Sequence, residues 1–387
     1  MRVTHVITRL IVGGAQENTV ASVLGLQRRP GMDVTLLAGR TSGPEGSLET
    51  CFQASPQTLQ IVPSLVRPVH PFHDVRALFD LTNIFRSTRP DLVHTHSGKA
   101  GILGRWAARR AGVPLIVHTI HGPSFGPFQG ALANAAFGAA ERFAGKFTTH
   151  FVSVADAMTR QYLAAGIGRP GQYTRVLSGF PLEPYLAAAD DPAWRARWKL
   201  APDDFVIGMI SRLFTLKGHD DLIDIAPDLV RQCPRARFLL VGGGEWRERL
   251  QARVRAAGLE NKFVFTGLVA PAEVPRCVGI MDALVHLSRR EGLARALPQA
   301  LAAGRPVVAY DCDGAGEVCL ENETGFLVQP GDLAALRDRL LRLAGDPALR
   351  EQLGRRGREF VRQRFSVETM VDELYVLYLK LAVQAGT

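Results

Sequence analysis

Short apolar runs alternate with longer helical patterns along almost the whole chain, and that alternation leaves few folds open. In the first half, residues 3–8, 32–38, 59–62, 91–96, 114–120, 147–154 and 173–178 read as strands, with helical segments at 74–87, 99–111, 130–145 and 156–164. Strands this continuously apolar, separated by helices, imply a parallel sheet covered on both faces. The pattern breaks in a Pro- and Asp-rich stretch at 180–204, which reads as a linker. It then restarts, with strands at 204–211, 237–243, 262–267, 282–288, 305–310 and 325–328. Helices at 331–345, 347–363 and 366–384 close the chain, the last with Met370, Leu374, Leu377, Tyr378 and Leu381 at helical spacing.

The fold class is therefore α/β, with two Rossmann-like domains in tandem. The expected boundaries are 1–183 and 184–365, and 387 residues suffice for two cores. Open α/β sheets hold ligands at the carboxyl ends of their strands, so two domains facing each other would set a site in the cleft between them.

Composition narrows the function classes. No stretch approaches the ~18 apolar residues of a membrane span, and no secretory leader is legible at the start of the sequence. The five cysteines (Cys51, Cys233, Cys277, Cys312 and Cys319) lack CxxC spacing, which fits buried thiols in a reducing cytoplasm better than a disulfide framework or zinc. The charge is uneven: residues 1–183 carry 18 Lys and Arg against 10 Asp and Glu, a net +8, while the remainder carries 28 against 27, a net +1. A basic first half suggests an anionic partner there: a phosphorylated acceptor or an anionic membrane surface. With no zinc-finger spacing, RNP-like aromatics or long basic run, nucleic acid ranks last.

Three stretches carry chemistry. In SRREGLARALPQ, Glu291 stands on a glycine turn, and the Gly292 and Leu293 amides lead into an Ala- and Leu-rich helical pattern containing Gln299. A carboxylate can accept bonds from sugar hydroxyls, and amides at a helix start favour phosphate. In SRLFTLKG, Arg212 and Lys217 follow the first strand of the second half. Two preorganised cations there can stabilise a diphosphate leaving group without a metal. Taken together, the two stretches describe a pocket for a nucleotide diphosphate carrying a sugar. In the first half, Gly13–Gly14 open a helix after the first strand, and His121 ends a strand at Gly122. The glycine loop is neither GxGxxG nor GxxxxGK[ST], so it lacks the nicotinamide and P-loop fingerprints. His121 suits a hydrogen bond to a sugar hydroxyl or proton handling. His94, His96 and His118 read as structural, and the HxH pair lacks the acidic partner a metal would favour. Glu317, in GAGEV, reads as a cap for a following helix.

Taken in order, GGAQ, DLVHTHSGKAG, the His121–Gly122 pair, SRLFTLKG, LLVGGGEWRERL, FTGLV and EGLARALPQALAAGRPVVA make the chain resemble the retaining glycosyltransferases of family four, over essentially its full length. The resemblance implies the GT-B fold, with a C-terminal helix (366–387) crossing back to the first domain. That first domain would take the acceptor, and the second the nucleotide-sugar donor. It implies that Arg212 and Lys217 bind the donor diphosphate and Glu291 the donor sugar's hydroxyls. The Gly292 and Leu293 amides would face sugar and distal phosphate, and position 299 the ribose. The Gly267–Leu268 backbone would meet the base, Gly14 the phosphates, and His121 the donor sugar. No cofactor or metal is expected. Three departures stand out: Gln299 replaces a glutamate, Ala294 a frequent proline, and Gln16 a common glutamate. An amide at 299 forfeits a charge-assisted bond, worth roughly 1 kcal/mol beyond a neutral one.

The expected function is transfer of a sugar from a nucleotide diphosphate sugar, UDP favoured, to a hydroxyl of a lipid-linked or polysaccharide acceptor, by a cytoplasmic enzyme peripheral to the inner membrane face. Helix 101–112, with Arg105, Arg109 and Arg110 beside Ile102, Leu103 and Trp106, has two readings of at least equal standing: a helix packed in the sheet sandwich, or one resting on anionic lipid. A catalytically silent sugar-nucleotide-binding protein, suggested by Gln299, and a sugar-nucleotide epimerase are the alternatives.

Overall fold

The computed structural model describes residues 1–386 except Ser42, Pro44, Glu45 and Pro127; the last residue of the expected tail, Thr387, lies outside the described residues. The chain divides into two compact units, residues 1–180 together with the helix that begins at Val367, and residues 181–366.

The first unit runs β1 (Arg2–Ile7), α1 (Gly14–Leu26), β2 (Asp33–Ala38), β3 (Leu59–Ile61), α2 (Pro71–Thr88), β4 (Leu92–His96), α3 (Gly98–Ala111), β5 (Leu115–Ile120), α4 (Ala131–Gly145), β6 (His150–Ser153), α5 (Asp156–Ala164) and β7 (Tyr173–Arg175). Its seven parallel strands lie in the order β3-β2-β1-β4-β5-β6-β7. The chain winds outward from β1 in one direction, then returns to start again at β4. The β1–β4 boundary is thus the switch point, where loops from two strands diverge and leave room for a ligand.

The second unit repeats the scheme with α6 (Glu183–Leu186), α7 (Pro192–Arg197), β8 (Phe205–Ile210), α8 (His219–Gln232), β9 (Ala236–Val241), α9 (Arg247–Ala256), β10 (Phe263–Gly267), α10 (Val274–Gly279), β11 (Ala283–His286), α11 (Ala296–Ala302), β12 (Val307–Tyr310), β13 (Gly325–Val328), α12 (Leu333–Gly345) and α13 (Pro347–Arg364). Its six strands are also parallel, in the order β10-β9-β8-β11-β12-β13, and switch between β8 and β11.

The last helix, α14 (Val367–Ala385), belongs to the first unit and packs against α1. Met370, Val371, Leu374, Leu377, Tyr378 and Leu381 bury one stripe of it against Val3, Ile7, Val20 and Val23. Helices α2 and α3 cover the opposite face of the same sheet with Leu81, Phe85, Ala107 and Ala108 over Val6 and Val93. Both faces are sealed, which accounts for strands apolar on both sides.

One expectation gains detail and one needs correction. The stretch 180–204, read as a linker, starts where the chain passes from the first unit to the second, and it carries α6 and α7. Asp191 starts α7 by accepting from the amides of Ala193 and Trp194, and Pro192 occupies the first turn. Glu317 caps no following helix: it closes a short 3-10 turn (Ala315–Glu317), and the next regular element is β13.

Candidate active site

In the second unit the two cations and the carboxylate singled out in sequence fall on the two loops at the switch point. Arg212 and Lys217 follow β8, and Glu291 follows β11. The loops are locked together. Gly218 has φ +79°, and a Cβ there would lie 2.3 Å from the Leu287 carbonyl oxygen, so only glycine lets the first loop close onto the end of β11. The Arg289 amide then donates to the Leu216 carbonyl at 2.8 Å.

That closure sets the Lys217 ammonium in a hydrogen-bonded ion pair with Glu291 Oε1, with Ser288 Oγ 3.5 Å from Nζ. Both side chains are partly buried. The Glu291 amide donates to Asp313 Oδ2 at 2.7 Å, and the Gly314 amide to the Gly292 carbonyl at 3.1 Å, so the β12 loop braces the Glu291 backbone. Burial pushes the Glu291 carboxyl up, but Lys217, His286 and hydrogen bonds from Lys217 and Ser288 outweigh it and hold the group below the ordinary glutamate range. The site therefore presents an ionised carboxylate and an ammonium that already neutralise each other.

Arg212 is exposed, its guanidinium carbon 5.9 Å from the centre of the Phe214 ring. Gly292 and Leu293 are buried in the turn after Glu291. The following helix, α11, starts only at Ala296 and spans seven residues, so the amides after Glu291 belong to a turn rather than to a helix N-terminus. Gln299 lies within α11, half-buried. Gly267 ends β10 with φ +74°, and Leu268 beyond it is 60% exposed.

The sequence reasoning passed over Ser288, Asp313 and His286. The first two act from turns whose closure no periodicity reveals. His286 is buried at the end of β11, its Nε2 3.7 Å from Glu291 Oε1 and, among the described residues, without a hydrogen-bond partner. Burial lowers it to about 4.

In the first unit, Gly14 is the first residue of α1, and His121 follows β5 directly. His121 does not stand alone. Its Nε2 lies 3.0 Å from His96 Nδ1, and His96 Nε2 lies 2.9 Å from His5 Nδ1. His5 Nε2 is 3.3 Å from the Tyr378 hydroxyl, which also bonds His94 Nδ1, and His94 Nε2 reaches Thr119 Oγ1 at 2.6 Å. Register explains the cluster. His5 pairs with His94 across β1 and β4, and His96 with Thr119 across β4 and β5. With a side-chain period of two, all four project to the face that α14 covers. Thr95 and His118 pair on the other face, their Oγ1 and Nδ1 2.9 Å apart. Burial lowers His5 and His121 to about 3 and holds His94 and His96 well below the ordinary histidine value, so all four rings are neutral.

Among the described residues, His5, His94 and His96 are the trio whose ligand atoms lie within 4.8 Å of one another. All six of their ring nitrogens are already hydrogen-bonded, so a cation would have to displace protein partners.

Of the two readings of α3, packing in the sheet sandwich holds for its inner face. Arg105 and Leu103 are buried, Arg105 in an ion pair with Glu141 at 2.5 Å, while Trp106, Arg109 and Arg110 are exposed. Among the described residues, no helix is long and apolar enough to cross a membrane. All five cysteines are free.

Comparison with known proteins gives a consistent picture. Residues 13–179 match the family model for a glycosyl transferase 4-like domain, and residues 190–360 that for glycosyl transferases group 1. The chain is 26% identical over 326 residues to the UDP-Gal:alpha-D-GlcNAc-diphosphoundecaprenol alpha-1,3-galactosyltransferase of Escherichia coli, covering 83% of this chain and 84% of that protein. It is 24% identical to the capsular polysaccharide biosynthesis glycosyltransferase CapM of Staphylococcus aureus, covering 81% and 82%. Among solved structures, Anabaena HepE in complex with UDP-glucose superposes with a TM-score of 0.81 at 22% identity, over 98% of this chain and all of that one. Sucrose-phosphate synthase from Thermosynechococcus elongatus gives 0.84 at 20% identity, over 99% of this chain and all of that one. These structural likenesses show the fold.

Proposed function

Because the chain belongs to the family-four glycosyltransferases, with the GT-B fold and a nucleotide sugar as donor, we propose that it moves a hexose or N-acetylhexosamine from a UDP-sugar to a hydroxyl of a lipid-linked or polysaccharide acceptor, retaining the anomeric configuration. The observation that carries this reading is the Lys217–Glu291 ion pair at the β8–β11 switch point.

Each member of the pair is the other's partner. An incoming diphosphate offers Lys217 and the exposed Arg212 a second anion, and the sugar's hydroxyls offer Glu291 new donors. The Gly292 and Leu293 backbone meets the sugar and distal phosphate, Gln299 the ribose, and Gly267–Leu268 the base. From the first unit, Gly14 meets the phosphates and His121 the sugar. The acceptor oxygen then bonds to the anomeric carbon on the face from which the diphosphate departs. The bond from that carbon to the phosphate oxygen breaks, and the acceptor's proton passes to the departing oxygen. Charge grows on the diphosphate in this step, where fixed cations lower the barrier most. The UDP donor is supported by the nucleotides named for the Escherichia coli relative and for HepE.

The first unit takes the acceptor at an anionic membrane surface, from the cytoplasmic side. Along α2, Phe72, Val75 and Phe79 form an exposed stripe at helical spacing. Arg110 of α3 lies over the Phe79 ring at 5.6 Å, and Trp106 meets Phe143 of α4 edge-on at 5.7 Å. Arg76, Arg86, Arg109, Arg142 and Lys146 are exposed around these rings. Aromatic side chains interleaved with cations suit a headgroup layer.

The deciding experiment is a thermal-shift panel of UDP, GDP and their sugars, followed by transfer assays with and without EDTA. A ligand that binds only the folded state raises its melting temperature. UDP-sugars are expected to stabilise, and transfer to persist in EDTA. Stabilisation by GDP-sugars alone would replace the donor assignment. Strict dependence on a divalent ion would end the idea that side chains alone neutralise the leaving group.

A further inference from the structure

The rings beneath His121 form one continuous line: His121, His96, His5, Tyr378, His94, Thr119. Each neutral imidazole has one proton and one lone pair, so the role of each nitrogen dictates that of the next. The Tyr378 hydroxyl has one proton and touches two ring nitrogens. Its 3.3 Å contact with His5 Nε2 is too long for an O–H donor and near the limit for an N–H reaching oxygen. The phenol therefore donates to His94 Nδ1 and accepts from His5 Nε2–H. That leaves His5 Nδ1 bare, so it accepts from His96 Nε2–H. His96 Nδ1 is bare in turn and accepts from His121 Nε2–H.

We propose that this line is a relay that sets the tautomer of His121: Tyr378, His5 and His96 hold its proton on Nε2 and leave Nδ1 as a lone pair that accepts from a hydroxyl of the donor sugar. His121 Nδ1 has no hydrogen-bond partner among the described residues. The relay assigns Tyr378, at the end of the chain, as a positioning residue for chemistry at the carboxyl end of β5. The opposite polarity would present His121 as a donor, suited to an acceptor atom of the sugar instead. A ring free to flip would serve neither role well. The inference rests on the reading of His121 as the histidine that meets the donor sugar.

The test reads the ring nitrogens directly. In full-length protein labelled with 15N-histidine and assigned by single substitutions, His121 is expected to show a protonated Nε2 and an unprotonated Nδ1. The reverse pattern, or a mixture in the unaltered protein, overturns the proposal. Tyr378→Phe removes the acceptor for His5 while keeping the ring. It is expected to mix the His121 tautomers and to lower kcat/KM for the donor about tenfold, the scale of one lost hydrogen bond. A folded Tyr378→Phe protein with unchanged ring spectra and unchanged kcat/KM also overturns it. Full transfer by His121→Ala would instead sink the reading on which the relay rests, whatever the ring spectra show. Cobalt(II) giving a ligand-field spectrum that His94→Phe abolishes would show the rings to be metal ligands and end the relay.

Discussion

Lys217 and Glu291 show how one residue can change what its neighbour is. Burial alone would raise the Glu291 carboxyl, and Lys217 is the leading reason it ends below the ordinary range. A carboxyl depressed in the folded state contributes stability above its unfolded pKa and loses it as pH falls through the folded value. Lys217→Met leaves burial less opposed, so that contribution should shrink or reverse in urea titrations across the acid range. Lys217→Ala and Glu291→Ala should each lower transfer by at least ~100-fold, the scale of a lost transition-state contact, with native circular dichroism. Full activity in either would move the site elsewhere. Arg105 makes the opposite point. It is fully buried, bonded to Glu141, the Gly101 carbonyl and Thr148. Arg105→Met strands a buried carboxylate and should cost about 3–5 kcal/mol in urea unfolding, and adding Glu141→Leu should restore much of it. An Arg105→Met protein as stable as the parent would mean that the Arg105–Glu141 pair does not hold the unit together.

Elements were legible where periodicity speaks and opaque where geometry decides. The two parallel α/β sheets followed from alternation, and the cations after β8 from the chemistry of Arg and Lys at a strand end; the strand order did not. The start of α11 did not, because four residues of tight turn after Glu291 look helical in composition. The sequence left Arg105 open between lipid and core because helical spacing gives a face but not which side the sheet lies on. The histidine line was invisible for a related reason: His5 and His94 are neighbours only through a register that links residues far apart in sequence. The α1–α14 packing turns on a close approach of the same kind. A Cβ at Gly25 would lie 2.4 Å from Val371 Cγ2. Gly25→Ala should therefore cost about 1–3 kcal/mol by overpacking. Combining it with Val371→Ala should give a coupling energy of opposite sign in a double-mutant cycle. Simple additivity would show that the two helices do not meet there.

Across the molecule the charge excess and the exposed aromatic stripe fall in the same unit. Vesicles containing anionic lipid should bind the protein, and added salt should weaken the binding. Phe72→Ser with Phe79→Ser should reduce binding by on the order of 100-fold or more without loss of transfer to a water-soluble acceptor, because each buried aromatic contributes on the order of 1.5–3 kcal/mol. Binding that ignores salt, or no binding, would remove the membrane from the picture.

The helix that caps the first sheet arrives after the entire second unit has been made. During translation the second unit can close on itself while the first still lacks its lid. Val3, Ile7 and the imidazole line lack their cover until α14 has been made. A stalled ribosome would hold a finished second unit beside an unfinished first, with a sticky face that draws chaperones.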